Sequence, residues 1–201
     1  MIMGIMKSRT ACIKRATRET RIEITLALDG CGRFDVDTGL PFLNHMLELF
    51  SRHALMDLRL RARGDLAVDY HHTVEDLGLC LGQALDKALG NRRGIRRYGC
   101  ATIPMDDALS RVVVDLGGRP YLVYEVANKR RKIMAFDVSL VEEFLRALCV
   151  QARMNLHVAQ LYGREPHHAY ESVFKALARA LREAVARDAR ETGIPSSKGT
   201  L

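Results

Sequence analysis

The 201-residue chain has few cysteines, and none of them lie close together. Cys12, Cys31, Cys80, Cys100 and Cys149 are scattered, odd in number and never in a C-x-x-C pair. That argues against a disulfide framework and a thiolate metal site, and a reducing, cytoplasmic setting is the expectation. Long apolar runs are also missing. No stretch approaches the roughly 18 apolar residues of a membrane span. In MIMGIMKSR the basic residues follow the apolar start rather than precede it, which is the wrong order for a secretory signal. No membrane partner is expected. Aromatic residues make up only 6%, with no RNP-like stripe on which single-stranded bases would stack. Low-complexity segments are absent.

Apolar residues reach 48% and charged residues 27%, ordinary values for a globular chain with a real core. The net charge is +7, bunched at Lys129-Arg130-Arg131-Lys132, Arg92-Arg93 and Arg96-Arg97. Solvated surface is the default reading of each bunch. An anionic metabolite is the partner to test against nucleic acid.

One motif occurs twice. HHTVE at 71–75 returns as HHAYE 96 residues later (167 − 71). Around it, HHTVEDLGLCLGQALDKAL (71–89) falls on HHAYESVFKALARALREAV (167–185), with Leu81/Leu177, Ala84/Ala180, Leu85/Leu181 and Ala88/Ala184 coinciding. HMLELFSRHALMDLRL (45–60) falls on EFLRALCVQARMNLHV (143–158), and FDV at 34–36 recurs at 136–138. IEITLALDG and RVVVDLGG both read as strands ending in Gly. Each half therefore reads strand, strand, helix, strand, helix, with first helices at about 42–54 and 140–152. The class expected is α+β, an internal duplication of a β-β-α-β-α unit with helices packed on one face of each sheet. It forms a single catalytic domain over 1–201, with repeats at about 8–95 and 96–195 and an irregular tail at 196–201. The halves meet near LGNRRGIRRYG, whose glycines mark a turn.

Imidazole and carboxylate are ligands for borderline divalent metals. On a helix, His71 and Glu75 share a face at i and i+4, as do His167 and Glu171. The second His of each pair points about 100° around the helix and must serve something else. If two halves or two subunits oppose these helices, the groups become His71, Glu75 with His168, and His167, Glu171 with His72. The repeat nominates a fourth ligand for each, since His45 falls opposite Glu143. A sulfur-free set with open positions suits Mn²⁺ or Fe²⁺, with Zn²⁺ and Co²⁺ possible, acting as Lewis acid or template. His157 aligns with Arg59 and reads as non-metal. His53 contacts a ligand or caps its helix.

PFLNHMLELFSRH, GDLAVDYHHTVEDLG, GIRRYG, PMDDALSRVVVDLGGRPY, LYGREPHHAYESVFKALARALREA and PSSKG, in order from about Arg18 to Gly199, resemble the imidazoleglycerol-phosphate dehydratase family in its monofunctional form. The resemblance implies several things. The fold would be of the ribosomal protein S5 domain 2-like kind. The reaction would be dehydration of D-erythro-imidazole-glycerol phosphate to imidazole-acetol phosphate in histidine biosynthesis. The site would hold two Mn²⁺ and lie between subunits of a homo-oligomer, trimers assembling into a 24-mer. His45, His71, His72, Glu75, His167, His168 and Glu171 match ligand positions. Glu19 and His53 match substrate contacts. Arg97, Arg119, Lys175, Ser197 and Lys198 match positions around the substrate and its phosphate, which wants guanidinium, ammonium and hydroxyl donors. Glu171 or Glu19 is the candidate base, with His72 beside them. Two positions depart from the family. Glu143 stands where several members carry a His ligand, and Tyr70 replaces an acidic residue. Two rival readings remain for assay: a phosphoester metallohydrolase, which releases inorganic phosphate, and a nucleic-acid or metal binder without turnover.

Overall fold

The computed structural model describes residues 8–127 and 132–201. Of the basic bunch at 129–132, only Lys132 is among them. The first repeat runs β1 (Thr10–Ala16), β2 (Thr20–Ala27), β3 (Phe34–Asp37), α1 (Pro41–Ala54), β4 (Asp57–Gly64) and α2 (His71–Leu89). The second runs β5 (Tyr98–Met105), β6 (Ala108–Asp115), β7 (Tyr121–Glu125), a hairpin of β8 (Lys132–Ile133) and β9 (Phe136–Asp137), then α3 (Leu140–Ala152), β10 (Asn155–Tyr162) and α4 (Pro166–Val185).

The two main sheets share one topology. Their strand orders are β1-β2-β4-β3 and β5-β6-β10-β7. In each, an antiparallel hairpin pairs with the strand between the helices, and a short edge strand joins that strand in parallel. The duplicated unit is thus present, with one more strand per sheet than the sequence pattern suggests. The FDV match does not mark equivalent strands. Phe34–Asp37 is the parallel edge of the first sheet, whereas Phe136–Asp137 pairs with Lys132–Ile133 in the added hairpin. The topological partner of β3 is β7.

Period-two alternation decides which face of each sheet is covered. Ile22, Ile24 and Leu26 of β2 and Leu58, Leu60 and Ala62 of β4 point inward, as do Val112, Val114, Leu156 and Val158 in the second sheet. Arg59, Arg61 and Arg63 alternate outward, and the last two pair with Asp35 and Asp37 of β3. The helices cover the inner faces. Leu43, Met46, Leu47, Phe50 and Ala54 form the buried stripe of α1 at helical spacing. Pro41, at the start of α1, has a fixed φ suited to a first turn. Both first helices end on a left-handed residue, Leu55 (φ 54°) and Arg153 (φ 51°). α2 lies on β1 and β2, and α4 on β5 and β6. The repeats interlock through their helices, α2 along α3 and α1 along α4.

Two contacts set that interlock. Gly78 and Gly82 of α2 face the carbonyls of Phe144 and Leu148 in α3, so the two helices run parallel and nearly touch. Arg92 is buried in the turn between the repeats. It donates to the carbonyls of Leu116 (2.8 Å), Ala152 (2.8 Å) and Arg153 (3.0 Å) and pairs with Asp86 (2.5 Å). Those carbonyls include the last two of the α3 end, which its own helix cannot satisfy. No helix among the described residues is long and apolar enough to cross a membrane.

Candidate active site

The first turns of α4 carry His167, Glu171 and Lys175 on one stripe at i, i+4 and i+8. Pro166 at the helix start and the Glu165 cap, which accepts from the His167 N–H, begin the helix at the point that aims this stripe. α1, packed alongside, brings His45 of the other repeat to the same place. His45 Nε2 lies 2.9 Å and His167 Nε2 3.1 Å from Glu171 Oε1. Lys175 Nζ donates to Glu171 Oε2 at 2.6 Å. The three donor groups of His45, His167 and Glu171 all lie within 4.8 Å of one another. Burial alone would raise the Glu171 pKa. Hydrogen bonds from Lys175, His45 and His167 outweigh it and hold the group at about 2. The result is a carboxylate ionised at neutral pH between two imidazoles, a donor set of the kind a divalent cation takes. Phe42 packs edge-on against His167 and limits its swing.

The equivalent place in the first repeat is built from α2 and α3. His71 Nε2 is 3.6 Å from Glu75 Oε2. Glu143, half-buried on α3, holds the position equivalent to His45. Among the described residues these side chains do not converge as a second group of three.

His72 and His168 turn away from both groups within the chain. His72 Nδ1 meets Asp65 Oδ2 at 3.0 Å, and its Nε2 is 3.9 Å from Glu19. His168 Nδ1 meets Asp107 Oδ1 at 2.8 Å, and its Nε2 is 3.5 Å from Asp106. The Asp65 and Asp107 hydrogen bonds are the main cause that raises each imidazole's pKa. The crosswise groups expected from the repeat are therefore not assembled inside one chain. What one chain does assemble is His45 with His167 and Glu171.

The expected substrate contacts fall into separate places. Lys175 sits beside Glu171. His53, at the end of α1, is lowered in pKa by burial and then by the charges of Lys175 and Arg179. Glu19 lies in the β1–β2 turn beside His72. Arg97 is elsewhere. Its guanidinium forks onto Asp115 (2.6 and 3.1 Å), donates to the Pro195 carbonyl (2.7 Å) and covers the Tyr98 ring. Gly118, beside Arg119, abuts the C-terminal Leu201, so Ser197 and Lys198 belong to this same region. The Arg97 N–H bonds to the Ala184 carbonyl in the last turn of α4. His167 is in the first turn, about 25 Å away at 1.5 Å per residue. The tail and the His–Glu cluster thus sit at opposite ends of α4.

Three neighbours of the site lie within the resembling stretches but are not among the residues the sequence singles out. Arg179 extends the 167–171–175 stripe by four residues, a signal that periodicity offers. Asp65 and Asp107 lie in loops, and only the fold brings them to the histidines.

A family model described as imidazoleglycerol-phosphate dehydratase matches residues 38–181. A protein of that description from Geobacillus kaustophilus is 54% identical over 194 residues, covering 96% of this chain and 100% of the relative. Another, from Nitrobacter hamburgensis, is 55% identical over 96% of this chain and 98% of the relative. Among solved structures, the Staphylococcus aureus imidazoleglycerol-phosphate dehydratase superposes with TM-score 0.81 at 38% identity, covering 89% of this chain and 99% of that one. The Pyrococcus furiosus IGPD gives 0.82 at 36% identity, covering 94% and 100%.

Proposed function

The chain belongs to the imidazoleglycerol-phosphate dehydratase family, and on that premise we propose that it removes water from D-erythro-imidazole-glycerol phosphate to form imidazole-acetol phosphate, using two Mn²⁺ ions. It is a hydro-lyase of histidine biosynthesis. The observation that carries the metal reading is the convergence of His45, His167 and Glu171 from two repeats. In this reading His45, His167 and Glu171 hold one ion with His72 from another copy of the chain. His71, Glu75 and Glu143 hold the other with His168 from another copy. When bound, Mn²⁺ supplies Lewis-acid polarisation and a template for the substrate's ring and hydroxyl groups.

The chain's own residues divide the remaining work. Lys175 keeps Glu171 anionic and fixes its orientation. Both Glu171 oxygens are engaged, one by two imidazoles and one by the ammonium. The Glu19 carboxylate is about half-exposed and stands 3.9 Å from His72. Glu19 is therefore the better candidate for taking the carbon-bound proton, with His72 beside it. Lys175 and Arg179, whose charges disfavour a protonated His53, give one patch of cationic character. Arg97, Arg119, Ser197 and Lys198 give another around the tail. Since the His–Glu cluster and the tail lie at opposite ends of α4, a compact phosphorylated substrate meets both only where two copies adjoin. This supports a site between subunits of a homo-oligomer, for which the trimer-based 24-mer is the proposed form.

The test is direct. Purified protein with imidazole-glycerol phosphate and Mn²⁺ should yield the ketone and no inorganic phosphate. Phosphate release would instead favour a hydrolase. His45→Ala and His167→Ala should each lose bound Mn²⁺ and turnover; full metal content with normal rates in either would refute the cluster. Light scattering with and without EDTA reports whether assembly depends on metal. A metal-free protein that keeps full size would show that the ions are not the glue.

A further inference from the structure

The two histidines that point away from the chain's own cluster share an unexpected feature. Each has its Nδ1 on an aspartate, His72 on Asp65 and His168 on Asp107, at 3.0 and 2.8 Å. Neither Nε2 hydrogen-bonds to any described residue; their nearest carboxylate oxygens, on Glu19 and Asp106, stand at 3.9 and 3.5 Å. The two aspartates are not repeat equivalents. Asp65 follows β4, whereas Asp107 lies in the β5–β6 turn. Duplication alone would have put both on the same loop. The same contact has instead been built twice from different parts of the unit.

Each aspartate is itself held. The Asp65 N–H donates to the Glu19 carbonyl at 3.0 Å, which ties the loop after β4 to the β1–β2 turn. Asp65 Oδ1 is buried with no partner, so the carboxylate's one side-chain hydrogen bond is to His72. Asp107 Oδ2 accepts the N–H groups of Arg164 and Glu165 at 2.7 and 3.1 Å, at the entry to α4. A hydrogen bond at one imidazole nitrogen selects the tautomer and aims the other nitrogen, and it raises the basicity of that nitrogen as a ligand.

We infer that Asp65 and Asp107 are positioning residues that present the Nε2 atoms of His72 and His168 as the ligands one copy of the chain lends to the metal centre of another. The inference rests on the metal reading above and deepens it. Asp65 is the sharper case, because its carboxylate serves the imidazole alone.

The experiment titrates Mn²⁺ into the intact metal-stripped protein, following free Mn²⁺ by electron paramagnetic resonance, for wild type, Asp65→Ala, Asp65→Asn, Asp107→Asn and His72→Ala. Asp65→Ala should weaken one of the two ions by roughly 10–100-fold. Asp65→Asn should recover part of that loss, since a carboxamide oxygen still accepts from Nδ1–H. Asp107→Asn, which keeps an acceptor for the loop, should weaken the other ion. Undiminished Mn²⁺ affinity in Asp65→Ala, with loss in His72→Ala, would overturn the inference alone. Equal affinity in wild type and His72→Ala would remove the metal reading and the inference with it. If Asp65→Asn behaved as badly as Asp65→Ala and both lowered the melting temperature of the stripped protein, Asp65 would be scaffold and the inference would fall.

Discussion

Gly82→Ala is a substitution whose sign the structure decides. In an open helix, alanine is favoured over glycine by about 1 kcal/mol. Here a Cβ at Gly82 would sit 2.6 Å from the Leu148 carbonyl oxygen, 2.7 Å from Gln151 Cβ and 3.0 Å from the Ala152 nitrogen. Two of these atoms are backbone, and none can rotate aside. Restoring an ordinary separation of about 3.5 Å requires α3 to move by roughly 0.5–1 Å. Overpacking of this kind costs about 1–3 kcal/mol, and at the upper part of that range it exceeds the propensity gain. The expected net loss is about 1–2 kcal/mol. For a chain of this length, each kcal/mol lowers the melting temperature by roughly 2–4 °C. Calorimetry at fixed protein and metal concentration is the assay, because binding and assembly shift the midpoint. If Glu143 holds metal with His71 and Glu75 as proposed, the displacement should also weaken Mn²⁺ binding there. A Gly82→Ala protein that melts higher than wild type would refute the close helix contact and the reasoning built on it.

Three further outcomes follow from other contacts. Arg92→Met should destabilise the chain by about 3 kcal/mol in urea titration, because it leaves Asp86 and three buried carbonyls without their donor. An unchanged midpoint would mean that Arg92 does not join the repeats. Asp57 is subject to some burial, which would raise its pKa, but bonds from Arg33 and from the Arg33 and Cys31 N–H groups hold it well below the carboxylate range. Its contribution is present above the unfolded value near 3.9 and lost as pH falls through it toward the folded value. Asp57→Asn should thus be less stable than wild type at pH 7, with the gap closing in acid; a gap independent of pH would count against the ionic account. Truncation before Pro195 removes the Arg97 anchor and the tail, and should raise KM with the fold retained by circular dichroism. An unaltered KM would make the tail idle.

Much of this was legible because it repeats. The helices carry strong 3.6-residue patterns. α1 and α3 fall at Pro41–Ala54 and Leu140–Ala152, close to the ranges their periodicity indicates. Edge strands were harder. Phe34–Asp37 and Phe136–Asp137 both begin an FDV run, yet a strand of two to four residues is defined by its neighbour, and the neighbours differ. The metal-capable residues were visible as types and spacings. Their grouping was not, because i and i+4 geometry says what one helix offers and nothing about which helix lies beside it. His45 meeting Glu171 depends on α1 packing along α4. Asp65 and Asp107 lie within the resembling stretches, but nothing in their local spacing ties either loop acid to a histidine.

The separation of the His–Glu cluster from the tail has a genetic consequence. If a working centre draws its cluster from one molecule and its tail from a neighbour, a lesion at either end spoils only that half of each centre the molecule helps to build. Two defective alleles, one encoding His167→Ala and one ending before Pro195, would then support better growth without histidine together than either does alone. Two alleles damaged at the same end would not. The same arithmetic makes neither allele dominant over wild type, since each defective molecule spoils one centre and leaves intact the other that it serves.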